Sequence, residues 1–404
     1  MRARPGATYP VGPRNPIGSP VDPPPDLTDH RPHPPRTRRR ETPDMTHDSH
    51  QNRKNDHLRI ALEDAGVQRP GQGNGLERYR FEHLALPELD LDRVDTACVL
   101  LGKRLRAPLL VGAMTGGTSE AGRVNRVLAE AAERCQVGFC LGSQRPMLEA
   151  RGDVASTFQL RDIAPDTLIL GNIGGIQLRN ELDGRSLEQL AQAVGADGMM
   201  VHLNPLQEAV QPEGDRDWIG VIDAVGEAAA RCYVPVLVKE VGAGLGPHTL
   251  RQLAATGIAG VETAGVGGTS WARIEALRHE TRTPRAIAAH VLADFGTPTA
   301  ESVVLAARAF PGRIVIASGG LRDGLEVAKC LALGATACAM AWPFLVAAQG
   351  GVEAVVTEIE GVIETLRIAM FLAGAPDLAR LATVPLRQDA PRVIWHRSAE
   401  EDPA

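Results

Sequence analysis

From residue 108 onward, short aliphatic runs alternate with longer amphipathic stretches. Runs that are apolar on both faces are typical of strands buried in a parallel sheet, and the stretches between them have the period of helices. The eight runs are Pro108–Gly112, Val137–Leu141, Leu168–Asn172, Gly198–His202, Pro235–Glu240, Ile258–Thr263, Arg313–Ala317 and Thr336–Ala341. Eight strand–helix units in succession predict an α/β fold, namely a (β/α)8 TIM barrel with an N-terminal extension.

The spacing of the runs also predicts how the chain is divided. Roughly 50 residues separate Thr263 from Arg313, which is more than between the other runs, so we expect an insertion after the sixth strand. The predicted parts are a tail rich in proline and arginine over residues 1–51, an N-terminal helix and barrel-capping segment over 52–107, the barrel over 108–385, and a C-terminal tail over 386–404.

The N-terminal segment differs in composition from the rest. Its first 44 residues hold 12 of the 29 prolines and eight arginines, with almost no aliphatic run. Such a segment buries too little apolar surface to offset its ordering entropy, so we expect a disordered tail. Three arginines at 38–40 are not followed by the apolar region of a twin-arginine signal. We hypothesise that Met45 is the natural start. The basic tail could bind nucleic acid, although a solvated tail is the simpler interpretation.

The composition argues against a nucleic-acid-binding surface, a zinc site and a membrane span. A net charge of −6 argues against a general nucleic-acid surface. Six scattered cysteines without a C-x-x-C pair favour reduced, buried thiols in a cytoplasmic protein and give little support to a zinc site. The longest apolar stretch, Leu331–Ala348, is interrupted by Gly334 and Pro343, so no membrane span is expected.

Polar residues are concentrated directly after the fourth run. His202 and Asn204 share strand parity and are expected to point the same way, while Gln207 and Glu208 are expected on the loop beyond. A histidine, two amides and a carboxylate at this position can bind an anion, donate a proton and hold a hard metal ion. A polar loop with one satisfied histidine is the alternative interpretation.

Comparable clusters follow most of the other predicted strands. They are Ala113–Thr118, Gly142–Arg145, Asn172–Gly175, His202–Glu208, Lys239–Glu240, Gly265–Trp271 and Ser318–Arg322. In TIM barrels the site lies at the carboxyl ends of the strands. Seven clusters on one rim therefore favour a shared site over seven independent turns.

Two of these clusters suggest ligand chemistry. The Ser318–Arg322 segment opens a predicted helix, Leu325–Leu333, at the usual barrel phosphate position, where glycines and a helix N-terminus can receive an anion. A structural turn is the alternative. Lys239 ends a buried run, which is costly without an anionic partner. It is expected to contact an electron-rich cofactor ring or a phosphate, or else to pair with Glu240 or another acid.

Seven motifs together resemble a known family. They are Arg53–His57, Met114–Gly117, Gly142–Arg145, His202–Glu208, Val238–Gly242, Gly267–Trp271 and Ala317–Arg322, in this order. Over about residues 52–385 the chain resembles the type 2 isopentenyl-diphosphate isomerases, which are FMN-dependent barrel enzymes. Departures from the family pattern, such as Phe295 in place of a tryptophan and an exchange of one acid for the other at Glu262, remove no proposed ligand.

The resemblance implies a set of site residues and cofactors. FMN would be held by Ala113, Met114, Thr115, Ser143, Asn172, Lys239 and Thr269, with its phosphate on Gly319, Gly320, Arg322, Ala341 and Trp342. The prenyl diphosphate would be bound by Arg53, Lys54, Arg145, His202, Asn204, Gln207 and Trp271. Gln207 would be catalytic and Glu208 would ligate Mg²⁺. NADPH would reduce FMN, and the enzyme would be a homo-oligomer, a tetramer or an octamer.

Other interpretations remain open. A 2-hydroxy-acid oxidase on a similar barrel would carry a His-x-x-x-Arg pair late in the barrel, but no histidine lies near Ser318–Arg322. A nucleotide dehydrogenase would need a nucleophilic cysteine on a glycine-rich loop, and none of the six cysteines lies on one. A non-catalytic flavin- or phosphate-binding sensor would have no need of Gln207 and Glu208.

Overall fold

Eight parallel strands close into a barrel in a computed structural model that describes residues 54, 56–63, 67, 73–149, 153–278 and 283–388. The barrel strands are β1 (Leu109–Val111), β2 (Gly138–Cys140), β3 (Ile169–Gly174), β4 (Gly198–Leu203), β5 (Val236–Glu240), β6 (Gly260–Glu262), β7 (Ile314–Ala317) and β8 (Ala337–Met340). Each strand pairs with the next, and β8 pairs with β1. The predicted TIM barrel is confirmed, and each predicted run overlaps one strand, although β3 and β4 extend one or two residues beyond their runs.

Helices surround the barrel. They are α1 (residues 56–63), α2 (Ser119–Cys135), α3 (Arg145–Glu149), α4 (Gly175–Glu181), α5 (Gly184–Val194), α6 (Pro205–Val210), α7 (Val221–Arg231), α8 (Pro247–Ala254), α9 (Trp271–Arg278), α10 (Pro284–Val291), α11 (Thr299–Ala309), α12 (Gly324–Ala332), α13 (Trp342–Ala347), α14 (Val352–Leu372) and α15 (Leu378–Leu381). The side chains of Thr118, Asp183 and Asp323 accept backbone N–H groups at the starts of α2, α5 and α12.

The core has an inner and an outer part. Inside the barrel, buried side chains from successive strands, including Leu110, Leu170 and Leu237, form one cluster. Leu100 and Leu105 join it from an antiparallel hairpin of Cys98–Leu100 and Lys103–Leu105. Outside, two larger clusters fill the space between strands and helices. Lys103 on the hairpin contacts the carbonyl of Asp166 and the carboxylate of Asp197, just before β3 and β4. The hairpin therefore closes the amino-terminal end of the barrel.

The wide interval after β6 contains two extra helices, α9 and α10, before α11. Their apolar residues pack on α6 through a cluster of Val210, Ala272 and Ala289. A second cluster, which includes Ile60 and Ile274, joins α9 to α1. Helix α9 of the insertion therefore packs against both α1 and α6, beside the carboxyl ends of the strands. Among the described residues, no helix is both long and apolar enough to cross a bilayer.

Near the C-terminus, residues Arg387–Gln388 pair with Tyr79–Arg80 as a short antiparallel ladder. The segment that we predicted as a tail from residue 386 therefore begins with a strand. The predicted tail over residues 1–51, the hypothesis about Met45 and the predicted site residue Arg53 lie outside the described residues.

Two glycines allow a test of packing in the barrel. Gly361 is exposed inside α14 with open space around its Cβ position. Gly361→Ala should raise the free energy of unfolding by about 0.4–1 kcal/mol, because it restricts the unfolded chain without a clash. A Cβ at Gly142 would lie 2.3 Å from the carbonyl oxygen of Thr115, so Gly142→Ala should lower stability. Urea unfolding of both variants measures this, and a stabilising Gly142→Ala would contradict the close approach of the two loops.

Candidate active site

A row of residues crosses four neighbouring strands in register at the carboxyl end of the barrel. Gly174 pairs with His202, His202 pairs with Lys239, and Lys239 pairs with Glu262. Register partners on parallel strands point to the same side of the sheet. The pairing therefore brings an imidazole, an ammonium and a carboxylate side by side at the strand ends. Gly174 leaves room for the histidine, because a Cβ there would lie 3.2 Å from His202 Nε2.

The imidazole of His202 has a defined orientation. Its Nδ1 atom lies 2.9 Å from Asn172 Oδ1, and the Asn172 amide donates to the carbonyl of Leu141 at 3.0 Å. The amide oxygen therefore faces the ring, so Nδ1 carries the proton and Nε2 is left as an acceptor in the neutral ring. Burial is the main cause that lowers the pKa of His202 to about 3.

Three cations add to that shift in the pKa of His202: Lys239, Arg145 and Lys54. Lys54 donates to the carbonyl of Gly116 and lies 3.5 Å from that of Ser143, so the start of the N-terminal helical segment is held against the loops after β1 and β2. Arg145 begins α3, and its guanidinium is 3.8 Å from the carboxylate of Asp215. The structure therefore assembles positive charge around a neutral histidine, which is an arrangement that favours a polyanion.

The segment after β4 differs from the expectation. The strand ends at Leu203, and Gln207 and Glu208 lie in the helix α6, whereas a loop was predicted. Pro205 stands at the first helical position, where its fixed φ favours the helix. His202 and Asn204 also do not share a hydrogen-bond partner: the Asn204 amide donates to Gln207 on α6, while the His202 ring bonds to Asn172 on β3.

Both oxygens of Glu208 are held by donors. Asn204 Nδ2 donates to Oε1 at 2.9 Å, and the backbone N–H of Asp215 donates to Oε2 at 2.8 Å. No group of three or more His, Cys, Asp or Glu side chains suited to a metal occurs in the described ranges. A single oriented carboxylate nevertheless fits Mg²⁺, which commonly takes one or two carboxylates and completes its shell with water and substrate phosphate oxygens.

Glu275 on α9 is a site residue that the sequence analysis missed. It is fully buried, and its Oε1 lies 2.9 Å from His57 Nε2 and accepts a hydrogen bond of 3.0 Å from Gln207. Arg278 donates to Oε2 at 2.7 Å. Burial raises the pKa of Glu275, but these hydrogen bonds and the charge of Arg278 outweigh it and lower the pKa to about 2. The available signal was its spacing of four residues from Trp271 on one helix face.

Trp271 borders an apolar cleft next to this network. Its ring meets the His57 ring edge-on at 5.3 Å between centroids. Leu206, Val241 and Phe295 line the same cleft, together with Gln207. The amide of Gln207 thus lies where an apolar wall and the polar network meet.

The loops after β6 and β7 interlock through glycines. Gly319 and Gly320 have φ values of 109° and 76°, and a Cβ on either would lie within 2.2 Å of the carbonyl oxygen of Gly265 or Gly267. Only glycine combines this conformation with so close an approach. The two loops are therefore held close together, and the half-buried backbone of these glycines lies at the place predicted for a phosphate.

Arg322 and Trp342 connect the loops after β7 and β8. The guanidinium lies 4.8 Å from the indole centroid, and the indole N–H donates to the carbonyl of Ala61 at 3.0 Å. The start of α12 is less available than expected: Asp323 accepts the N–H of Glu326, and Glu326 accepts that of Arg322. An anion here would therefore contact the glycines and the guanidinium more readily than the first turn of α12.

Lys239 is buried and has two neighbours of different kinds. Its ammonium donates to the backbone carbonyl of Glu240 at 2.6 Å and lies 3.7 Å from Glu262 Oε1. The Glu240 carboxylate instead accepts backbone N–H groups of the following loop, including those of Val241 and Gly242. The ion pair that was the alternative role for Lys239 is thus present, and the acid is Glu262 and not Glu240.

The remaining predicted residues lie on loops of the same rim. Ala113, Met114 and Thr115 follow β1, and the Thr115 carbonyl accepts from Asn125 at 3.2 Å. Ser143 follows β2, and its hydroxyl accepts the N–H of Arg145 at 3.4 Å. Thr269 precedes α9, and Ala341 precedes α13.

The chain is similar to proteins of known names. The family model described as FMN-dependent dehydrogenase matches residues 221–388. An isopentenyl-diphosphate delta-isomerase of Stutzerimonas stutzeri is 46% identical over 344 residues, which cover 85% of this chain and 99% of that protein. Proteins of the same name from a Synechococcus strain and from Mycolicibacterium vanbaalenii are 44% and 42% identical, and the matches cover 94% and 95% of their lengths.

Solved structures show a similar fold. Mandelate oxidase with 3,3-difluoro-2-hydroxy-3-phenylpropionic acid has a TM-score of 0.57 at 19% identity, and the match covers 84% of this chain and 98% of that one. Mandelate oxidase with (S)-2-phenylpropionate has the same TM-score and identity, with 85% and 98% covered. At this identity the likeness extends to the barrel architecture and not to the substrate.

The lowered pKa of His202 predicts a pH effect on stability. The folded protein keeps this ring neutral down to about pH 3, whereas the unfolded chain protonates it below about pH 6.5. Stability from this residue is therefore lost as pH falls from about 7 toward 3. Urea unfolding at pH 7.5, 6 and 5 should show wild type losing stability relative to His202→Gln by up to about 1.4 kcal/mol per pH unit. A difference that stays constant with pH would contradict the assignment.

Proposed function

The chain belongs to the isopentenyl-diphosphate delta-isomerase family, and on that premise we propose that it interconverts isopentenyl and dimethylallyl diphosphate by adding and removing a proton, with reduced FMN and Mg²⁺. The observation that supports this most is the positive charge of Lys54, Arg145 and Lys239 around His202, near an apolar cleft that contains Gln207. A substrate with a doubly phosphorylated head and a short hydrocarbon tail matches both parts.

The chain would anchor the substrate by its diphosphate. We expect contacts from Lys54, Arg145, His202 and Asn204, and from Arg53 as the resemblance implies. Neutral His202 presents Nε2 as an acceptor, and a bound polyanion would raise its pKa and allow it to donate to a phosphate oxygen. Glu208, oriented by Asn204 and by the N–H of Asp215, would hold Mg²⁺ shared with the diphosphate.

The residues at the rim fit FMN. Gly319, Gly320, Arg322, Ala341 and Trp342 would hold its phosphate; Ala113, Met114, Thr115, Ser143, Asn172, Lys239 and Thr269 would surround its ring. A fit is supported by the left-handed backbone of Gly319 and Gly320, by the guanidinium held on Trp342, and by the buried ammonium of Lys239. When bound and reduced by NADPH, FMN would supply a proton carrier without net redox change.

The side chains around the cleft would position the tail and exclude water. Protonating an isolated alkene develops tertiary cation character, which water would trap, so the site must be dry. Trp271 and Phe295 form an apolar wall, and α1 packs against α9 beside it. Gln207 is held through both ends of its amide, by Glu275 and by Asn204, so its orientation beside the cleft would be fixed before the substrate binds.

Two further expectations stay predictions: a tetrameric or octameric assembly, which the resemblance implies, and a cytoplasmic location, which the scattered cysteines favour. The match to the FMN-dependent dehydrogenase model keeps a hydroxy-acid oxidase as the second candidate.

One assay separates the two candidates. We expect purified protein to carry a yellow flavin spectrum and, under anaerobic conditions with NADPH and Mg²⁺, to convert isopentenyl diphosphate to its allylic isomer. Oxygen uptake with simple 2-hydroxy acids, without isomerisation, would instead support an oxidase.

In the same isomerase assay, Glu208→Gln should require more Mg²⁺ for half-maximal rate, whereas Asp223→Asn, at an exposed acid on α7, should match wild type. Full activity of Glu208→Gln at limiting Mg²⁺ would reject the metal assignment.

Gln207 can be tested in the same assay. Replacing its amide by an apolar side chain in Gln207→Leu should lower kcat by about 10²-fold or more, with a smaller change in KM, because proton transfer depends on oriented polar groups. The matched control is Gln192→Leu, at an exposed glutamine on α5. Steady-state kinetics, with the FMN content and thermal midpoint of each variant, measure this. An unchanged kcat for Gln207→Leu would remove this residue from the chemistry.

A further inference from the structure

Glu262 is a buried acid that the proposed mechanism does not use. It is the last residue of β6 and the register partner of Lys239. Its Oε1 lies 3.7 Å from the ammonium, and the two side chains are only 4% and 7% exposed. Ser318 donates to the same Oε1 at 2.8 Å and accepts the N–H of Ala264 at 3.0 Å. The carboxylate is therefore fixed in place by β7.

The other oxygen, Oε2, is buried and has no hydrogen-bond partner among the residues that the structure describes. Leaving a buried carboxylate oxygen unpaired is costly, so such a group requires an explanation beyond packing. A structural salt bridge would normally close to about 2.7–2.9 Å with a direct hydrogen bond. Here one N–H of the Lys239 ammonium donates to the Glu240 carbonyl at 2.6 Å, and Glu262 acts on the ammonium through its charge.

The surroundings of the pair contain few balancing charges. No carboxylate other than Glu262 lies within 4.0 Å of the ammonium among the residues that the structure describes. On the opposite side, the register partner of Lys239 is His202, whose ring is neutral. Burial raises the pKa of the Cys140 thiol well above its usual range, Glu262 raises it further and Lys239 opposes this. Both charges therefore act within the same dry end of the barrel.

We propose that Glu262 is a positioning residue that moderates the charge Lys239 presents to the flavin ring. The inference rests on the proposed function, in which Lys239 contacts FMN. Charge near the ring nitrogens tunes the electronics of a flavin. With its counter-ion in place, the lysine stabilises the electron-rich reduced ring only moderately, so that ring remains basic enough to accept and release a proton. Without the counter-ion, the reduced form would be held more tightly and would exchange its proton less readily.

The test is the two-electron midpoint potential of bound FMN in the intact holoenzyme. In Glu262→Gln the potential should become more positive, by at least the equivalent of a tenfold gain in relative affinity for reduced FMN, which is about 30 mV for this couple. In the same variant kcat should fall while KM for isopentenyl diphosphate stays near the wild-type value. Glu262→Asp, which keeps the charge, should shift the potential less than Glu262→Gln, and Glu364→Gln on the exposed face of α14 should not shift it. An unchanged or more negative potential in Glu262→Gln overturns the inference.

A pair of variants that lack Lys239 tests whether Glu262 acts through the lysine. This test holds even if the single variant Glu262→Gln does not fold. Lys239→Met and Lys239→Met/Glu262→Gln should have equal potentials, because the inference gives Glu262 no effect on the flavin except through the ammonium of Lys239. Different potentials in this pair overturn the inference. An active, flavin-loaded wild type combined with either negative result rejects this inference alone, whereas a wild type that binds no FMN rejects the proposed function with it.

Discussion

The site depends on the register of the parallel strands. Gly174, His202, Lys239 and Glu262 are partners across four strands, and they lie together only because each strand pairs with the next without a slip. A shift by one residue would turn a whole set of side chains from the barrel interior to the helix layer. The inner cluster of aliphatic residues, which includes Leu110, Leu170 and Leu237, specifies that register from below. The same apolar core that stabilises the barrel therefore also aligns the charged row at its mouth.

That alignment concentrates positive charge where water is scarce. Buried cations are unfavourable unless they are paired, and Lys239 is such a cation, with the carboxylate of Glu262 3.7 Å from its ammonium. An anion at this end of the barrel, such as the diphosphate of the proposed function, would be attracted by Lys239, Arg145 and Lys54. Burial is the main cause of the depressed pKa of His202, and the same cations add to it, because a proton on that ring would add another positive charge. Binding of a polyanion and protonation of this histidine are therefore linked.

The barrel and much of the site could be predicted from the sequence because both depend on local patterns. Aliphatic runs mark the strands, and the polar residues that directly follow them must lie on one rim. The partnership of His57 and Gln207 with Glu275 could not be predicted, because it joins residues 218 and 68 positions apart through the packing of the insertion. The helix at Gln207 was missed because its signal, a single proline at the first helical position, was outweighed by the surrounding polar residues. The acid beside Lys239 was expected only as one of several choices, since Glu240 is adjacent in sequence but turns into its own loop.

The protonation states of the site constrain where a proton can come from. Glu275 has a pKa of about 2 and is ionised at neutral pH, so it cannot act as a general acid there. His202, with a pKa of about 3, is neutral and donates only if a bound anion raises its pKa. A permanently ionised, buried carboxylate close to Gln207 is instead suited to stabilise positive charge that develops on a nearby carbon, because its orientation is fixed before the reaction by three donors. Glu275 and His202 are thus better placed to bind and to stabilise charge than to supply the proton. This is what we expect if the cofactor carries the proton, as in the proposed function.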